Sequence, residues 1–101
     1  MSNMPEWLYF WVTRALLGEI YPSIRAIAVG FDVGRCLTLR YYLDREVGES
    51  DYENMDVVIA NIFANTSSSN DIKDVRNEIF FNLKPVKDLD RLDGLVYLRK
   101  E

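Results

Sequence analysis

The sequence predicts an α+β domain in the order αββαββ, with one four-stranded, mainly antiparallel sheet and two helices on one face. Three observations carry this expectation. Apolar residues recur at helical spacing over 7–16 and again over 52–63. Strand-like runs occupy 26–31, 37–43, 75–83 and 95–100, most of them alternating apolar with small or polar residues. The chain has 101 residues, 49% apolar and 28% charged, which is enough for one core and too little for two, so 1–101 reads as a single domain.

The first helix is expected from Pro5 to about Leu17. Pro5 suits a helix start, where its missing N–H costs nothing, and Gly18 suits the stop. Its stripe of Trp7, Leu8, Phe10, Trp11, Ala15 and Leu16 is expected to be core. Ile27, Val29 and Phe31, then Leu37, Leu39, Tyr41 and Leu43, place the odd-numbered face of a β-hairpin inward, and Asp32-Val-Gly-Arg35 is the turn between its strands. Ser50-Asp-Tyr-Glu53 has the form of a capping box and opens the second helix. Tyr52, Met55, Ile59, Ile62 and Phe63 form its apolar face, and the polar run Asn65–Asn70 after it reads as a mobile loop. A third strand through Val75, Ile79, Phe81 and Leu83 ends before Pro85. A loop from Lys87 to Gly94 leads to the fourth strand.

Composition excludes several function classes. There is no histidine, which removes the commonest acid–base and zinc-binding side chain, and Ser67–Ser69 therefore have no imidazole base. Cys36 is the single cysteine, so no internal disulfide can form; mid-strand, it reads as a structural thiol in a reducing, cytoplasmic setting. The apolar stretch 7–17 is interrupted by Arg14 and falls short of the roughly twenty residues a membrane span needs. The N-terminus lacks the pattern of a signal peptide, and the Asn65-Thr-Ser sequon reads as chance. A charge of −4 and a pI near 4.8 argue against nucleic acid as a direct partner. No catalytic, cofactor or metal set emerges, and the protein is read as a non-enzyme.

The sharpest local feature is acidic. Asp44, Glu46, Glu49, Asp51, Glu53 and Asp56 place six of sixteen carboxylates in thirteen residues, opposed only by Arg45. Three readings compete: complementing the dipole of the second helix, calcium binding, and recognition of a basic protein. Calcium fails on spacing, because neither the loop from Asp44 nor that from Asp88 puts an oxygen donor at position five and a glutamate at twelve. For recognition, Arg40 and Tyr42, with Phe80, are the expected anchors on the sheet's second face.

Taken in order, Arg14-Ala-Leu-Leu-Gly-Glu-Ile20, Arg25-Ala-Ile27, Leu39-Arg-Tyr-Tyr-Leu-Asp44, Glu49-Ser-Asp-Tyr-Glu53 and Val96-Tyr-Leu-Arg-Lys-Glu101 resemble small bacterial cytosolic proteins that include immunity proteins of contact-dependent growth inhibition systems. The resemblance spans nearly the whole chain. It implies an α+β domain that binds and neutralises the toxic C-terminal domain of a surface-delivered protein, commonly a nuclease, inside the producing cell. Asn61 and Asn65 depart from the acidic residues expected late in the second helix, so no contact is transferred from the family. The expected partner-binding residues, Asp44, Glu46, Glu49, Asp51, Glu53, Asp56, Arg40 and Tyr42, rest on the charge cluster and the sheet pattern alone. The alternatives are a small self-associating or regulatory binding module, and a hydrolase using a carboxylate pair at Asp44 or Glu49.

Overall fold

A computed structural model describes residues 4–65 and 72–101. The expected polar loop and its sequon fall largely at 66–71 and lie outside the described residues. The elements run α1 (Glu6–Ala15), β1 (Ile24–Phe31), β2 (Cys36–Leu43), α2 (Glu49–Asn65), β3 (Asp74–Phe81), a 3₁₀ turn (Val86–Asp88) and β4 (Gly94–Leu98). This is the predicted αββαββ order.

The sheet order is β3-β2-β1-β4. β1 pairs antiparallel with β2 and with β4, whereas β2 pairs parallel with β3 in an unbroken register from Cys36↔Asp74 to Leu43↔Phe81. The sheet is thus mixed, with two antiparallel pairings and one parallel. The reason lies in α2, since a strand that crosses over through a helix before rejoining its neighbour returns in the same direction.

Both helices cover the odd-numbered face. Leu8, Val12 and Ala15 of α1 and Met55, Val58 and Ile62 of α2 pack against Ile27, Val29, Leu37, Leu39 and Tyr41. The buried stripe of α1 is therefore narrower than expected: Trp7 is 36% and Phe10 54% exposed, and Trp7 lies edge-on to Trp11 and Phe31 at the rim of the core. The face of α2 is also turned, with Val58 inside and Tyr52 and Phe63 outside. A bulge at Arg25 puts Ile24 on the helix face despite its even number. The hairpin turn closes as expected, with the Arg35 N–H on the Asp32 carbonyl and the Cys36 N–H on Asp32 Oδ1. The residue in left-handed conformation there is Arg35, at φ 62°, and not Gly34.

The second face is not open. Residues 86–92 cross it as a strap, and Leu89 is buried with Ala26, Ala28 and Tyr42 while Val86, Leu92 and Leu95 pack around them. The two alanines leave the depth that Leu89 fills. Leu92 takes φ 53°, where the strap bridges Val29 and the Asp93 N–H bonds the Val29 carbonyl at 2.9 Å.

Candidate functional site

The acidic run 44–56 divides into two sets with different jobs. Asp51 is fully buried. Its carboxylate accepts the Tyr21 hydroxyl at 2.6 Å, two Arg45 guanidinium bonds at 2.8 Å and the Gly48 N–H at 2.8 Å. Arg45 foremost, with Tyr21 and Gly48, holds its proton affinity far below the usual carboxylate range, whereas burial and this carboxylate push the Tyr21 phenol up. Asp51 is thus the helix fastener. It reaches back to the N–H of Gly48 three residues earlier, half of a capping box set two residues before the Ser50 start that the sequence suggested. The expectation that Asp51 faces a partner is corrected, because no surface of it meets solvent.

Asp44 is also engaged, bonded by Arg99 at 2.7 Å. Arg99 and Arg25 both hold Glu101, and these two cations draw the Glu101 carboxyl down to about 2. Arg25, buried at the bulge, further donates to the Asn82 and Lys84 carbonyls at 2.7 and 2.8 Å. This knot ties the ends of β1, β3 and β4 together.

Glu46, Glu49, Glu53 and Asp56 are exposed, and no salt bridge among the described residues involves them. At about 100° per residue, Glu49, Glu53 and Asp56 fall within roughly 60° of one another on α2. Tyr52, Val57 and Phe63 are exposed beside them, so the outward side of α2 is a carboxylate face flanked by large apolar groups. α2 contains no basic residue to offset them.

Arg40 and Tyr42 sit elsewhere, under and beside the strap. Arg40 Nε and Nη2 bond Glu78 Oε1 at 2.8 and 2.7 Å, Nη1 approaches Asp90 at 3.4 Å, and the guanidinium lies 5.2 Å from the Phe80 ring centre. The Tyr42 hydroxyl donates to the Asp90 carbonyl at 2.8 Å, and the residue is only 3% exposed. Tyr42 therefore anchors the strap and is not an open interface residue, which corrects the second part of the expected site. Phe80 stays exposed at the edge.

Cys36, expected mid-strand, is the half-buried first residue of β2, paired with Asp74 at the start of β3, and no group of three or more metal-ligating side chains exists among the described residues. No helix among the described residues is long and apolar enough to cross a membrane. The fold and face together describe a small α+β domain with three unpaired carboxylates, Glu49, Glu53 and Asp56, side by side on one helix, and comparison with known families gives its class, an immunity protein. The chain belongs to the MafI2 immunity protein family, whose model matches residues 5–101. The immunity class that the sequence resemblance implied therefore stands, and the family is of Maf type. No curated protein matches the chain.

Proposed function

We propose that this protein neutralises a cognate toxin domain by tight binding inside the producing cell, without chemistry of its own, and that the toxin is a basic nuclease delivered in a contact-dependent manner. Membership of the MafI2 immunity protein family across 5–101 is the observation that carries the reading. The four unpaired carboxylates of Glu46, Glu49, Glu53 and Asp56, with Tyr52, Val57 and Phe63 beside them, support a surface that steers and then anchors a basic protein.

Co-expression with the cognate toxin domain is expected to restore growth of cells that the toxin alone arrests; unchanged killing overturns the reading. Charge reversal at Glu49, Glu53 and Asp56 together is expected to slow association by about tenfold or more at low salt and to flatten its salt dependence. Far-ultraviolet circular dichroism of that variant is expected to match the parent, because all three groups are exposed. Association that is unchanged at every ionic strength removes α2 from the interface.

A further inference from the structure

β3 closes one side of the sheet, and among the described residues nothing pairs with its outer edge. It is eight residues long, Asp74-Val-Arg-Asn-Glu-Ile-Phe-Phe81, and its exposed residues include Arg76, Asn77, Phe80 and Phe81. An edge of this length offers a row of backbone donors and acceptors to any second strand, and proteins usually protect such edges with charge. The charges here are of a particular kind. Arg76 and Glu78 flank Asn77 symmetrically and lie on the same face of the sheet, beside Thr38 and Arg40 of β2.

We propose that the outer edge of β3 is a self-association surface, pairing antiparallel with β3 of a second copy about a two-fold axis through Asn77. In that register Arg76 of each copy faces Glu78 of the other, twice over. Val75 faces Ile79 on the helix side, and Asp74 faces Phe80. Moving the centre to Glu78 would set the two Glu78 carboxylates against each other; moving it to Arg76 would oppose the two guanidinium groups and set Asp74 against Glu78. Like charges directly opposite one another destabilise a strand pair. A shift of pairing that exchanged odd for even residues would turn the apolar set to the wrong side. Charges that block the neighbouring registers therefore favour the one centred on Asn77, as an isologous contact requires.

The local geometry leaves the pair available. Both Arg40 bonds to Glu78 fall on Oε1, which leaves Oε2 without a hydrogen bond among the described residues, and Arg76 makes no ion pair with any of them. β4, the opposite edge, is five residues of Gly-Leu-Val-Tyr-Leu with no charge to select a register. The occupant is a second copy of this chain because the complementarity is of the strand with itself; a toxin strand on the same edge is an alternative that the test separates. None of these residues belongs to the acidic face of α2, so this inference and the proposed function stand or fall separately.

Sedimentation equilibrium of the free protein from about 1 μM to about 1 mM is expected to show a reversible dimer with a dissociation constant on the order of 10–100 μM, as befits a contact smaller than a standard interface. Arg76→Glu is expected to weaken it by about tenfold or more with an unchanged melting curve, because two attractive pairs become repulsive. For register, Asn77→Cys in a Cys36→Ser background is expected to give a disulfide-linked dimer on mild oxidation, whereas Arg76→Cys in the same background is not, since only residue 77 meets its own copy. A monomer throughout the range, dimerisation indifferent to Arg76→Glu, or equal cross-linking at 76 and 77 each overturns the proposal. A free protein that stays monomeric and loses toxin binding on Arg76→Glu also overturns it and assigns the edge to the toxin. Neutralisation of toxin by Arg76→Glu is expected to be unchanged.

Discussion

The two faces of the sheet are built by different means. On the odd-numbered face, two helices bring Leu8, Val12, Met55, Val58 and Ile62 onto a continuous floor of Ile27, Val29, Leu37, Leu39 and Tyr41. On the even face, one strap sets Leu89 onto Ala26 and Ala28 and is held by polar bonds: the Tyr42 hydroxyl to the Asp90 carbonyl, the Leu92 N–H to Asp90 Oδ1, and the Phe31 N–H to Asp93 Oδ2. Apolar area dominates the first side, and directed hydrogen bonds do much of the holding on the second. The lesson is that a loop can roof a sheet where small side chains give it depth and a few polar groups fix its path.

Leu39→Ala against Leu89→Ala is the strongest test of that contrast. Truncating Leu39, fully buried between helices and sheet, is expected to cost about 3–4 kcal/mol in urea unfolding. Truncating Leu89 is expected to cost about 2 kcal/mol, at the lower end for such a change, and to raise hydrogen exchange in 86–93 ahead of the rest. Equal costs with uniform exchange would make the strap part of one undivided core.

Next in size is Asp51→Asn, expected to cost about 2 kcal/mol at neutral pH by weakening charge-assisted bonds to Arg45 and Tyr21. The sign with pH follows from the carboxyl being held below its ordinary value. Its stabilisation is complete above about pH 5, where the unfolded carboxyl is almost fully ionised, and declines as pH falls further. Unfolding midpoints against pH are therefore expected to show a shallower acid decline in the Asn variant. An identical decline would assign acid sensitivity to other carboxylates, with Glu101 between Arg25 and Arg99 foremost.

The smallest effects come from one substitution made at two adjacent residues. The Tyr41 hydroxyl is buried on the helix face without a bonding partner among the described residues, so Tyr41→Phe is expected to be neutral or to stabilise by up to about 1 kcal/mol. The Tyr42 hydroxyl is bonded on the strap face, and Tyr42→Phe is expected to destabilise by about 1 kcal/mol. The same sign at both positions would break the contrast.

Much of the fold was legible from periodicity. The order of elements, the hairpin turn at Asp32–Arg35 and the inward set Ile27 to Leu43 follow from spacing of two and from turn chemistry. The parallel β2–β3 pairing was legible in principle, because a strand, a helix and a strand in succession are the makings of a crossover. The strap was not, since Leu89, Leu92 and Leu95 recur every three residues, which is not the period of two of a strand, and Pro85, Asp90 and Gly94 around them speak against a continuous helix. Within the acidic run, spacing to the core held the missing clue: Asp51 precedes Met55 by four and Val58 by seven, which puts it on the buried stripe, about 200° from Glu49. Tyr21 and Arg45, which complete its shell, lie thirty and six residues away and carry no local sign of it.

The burial of Asp51 has a consequence for how such a protein can change over generations. One helix keeps its attachment to the body on one side and its free carboxylates on the other, and the two sets share no hydrogen bond. Exchanges at Glu49, Glu53 or Asp56 alter what the surface offers a partner at a cost within about 0.5–1 kcal/mol of fold stability. On the proposed reading of α2 as the binding face, specificity can drift on its outer side while the inner side holds the scaffold constant.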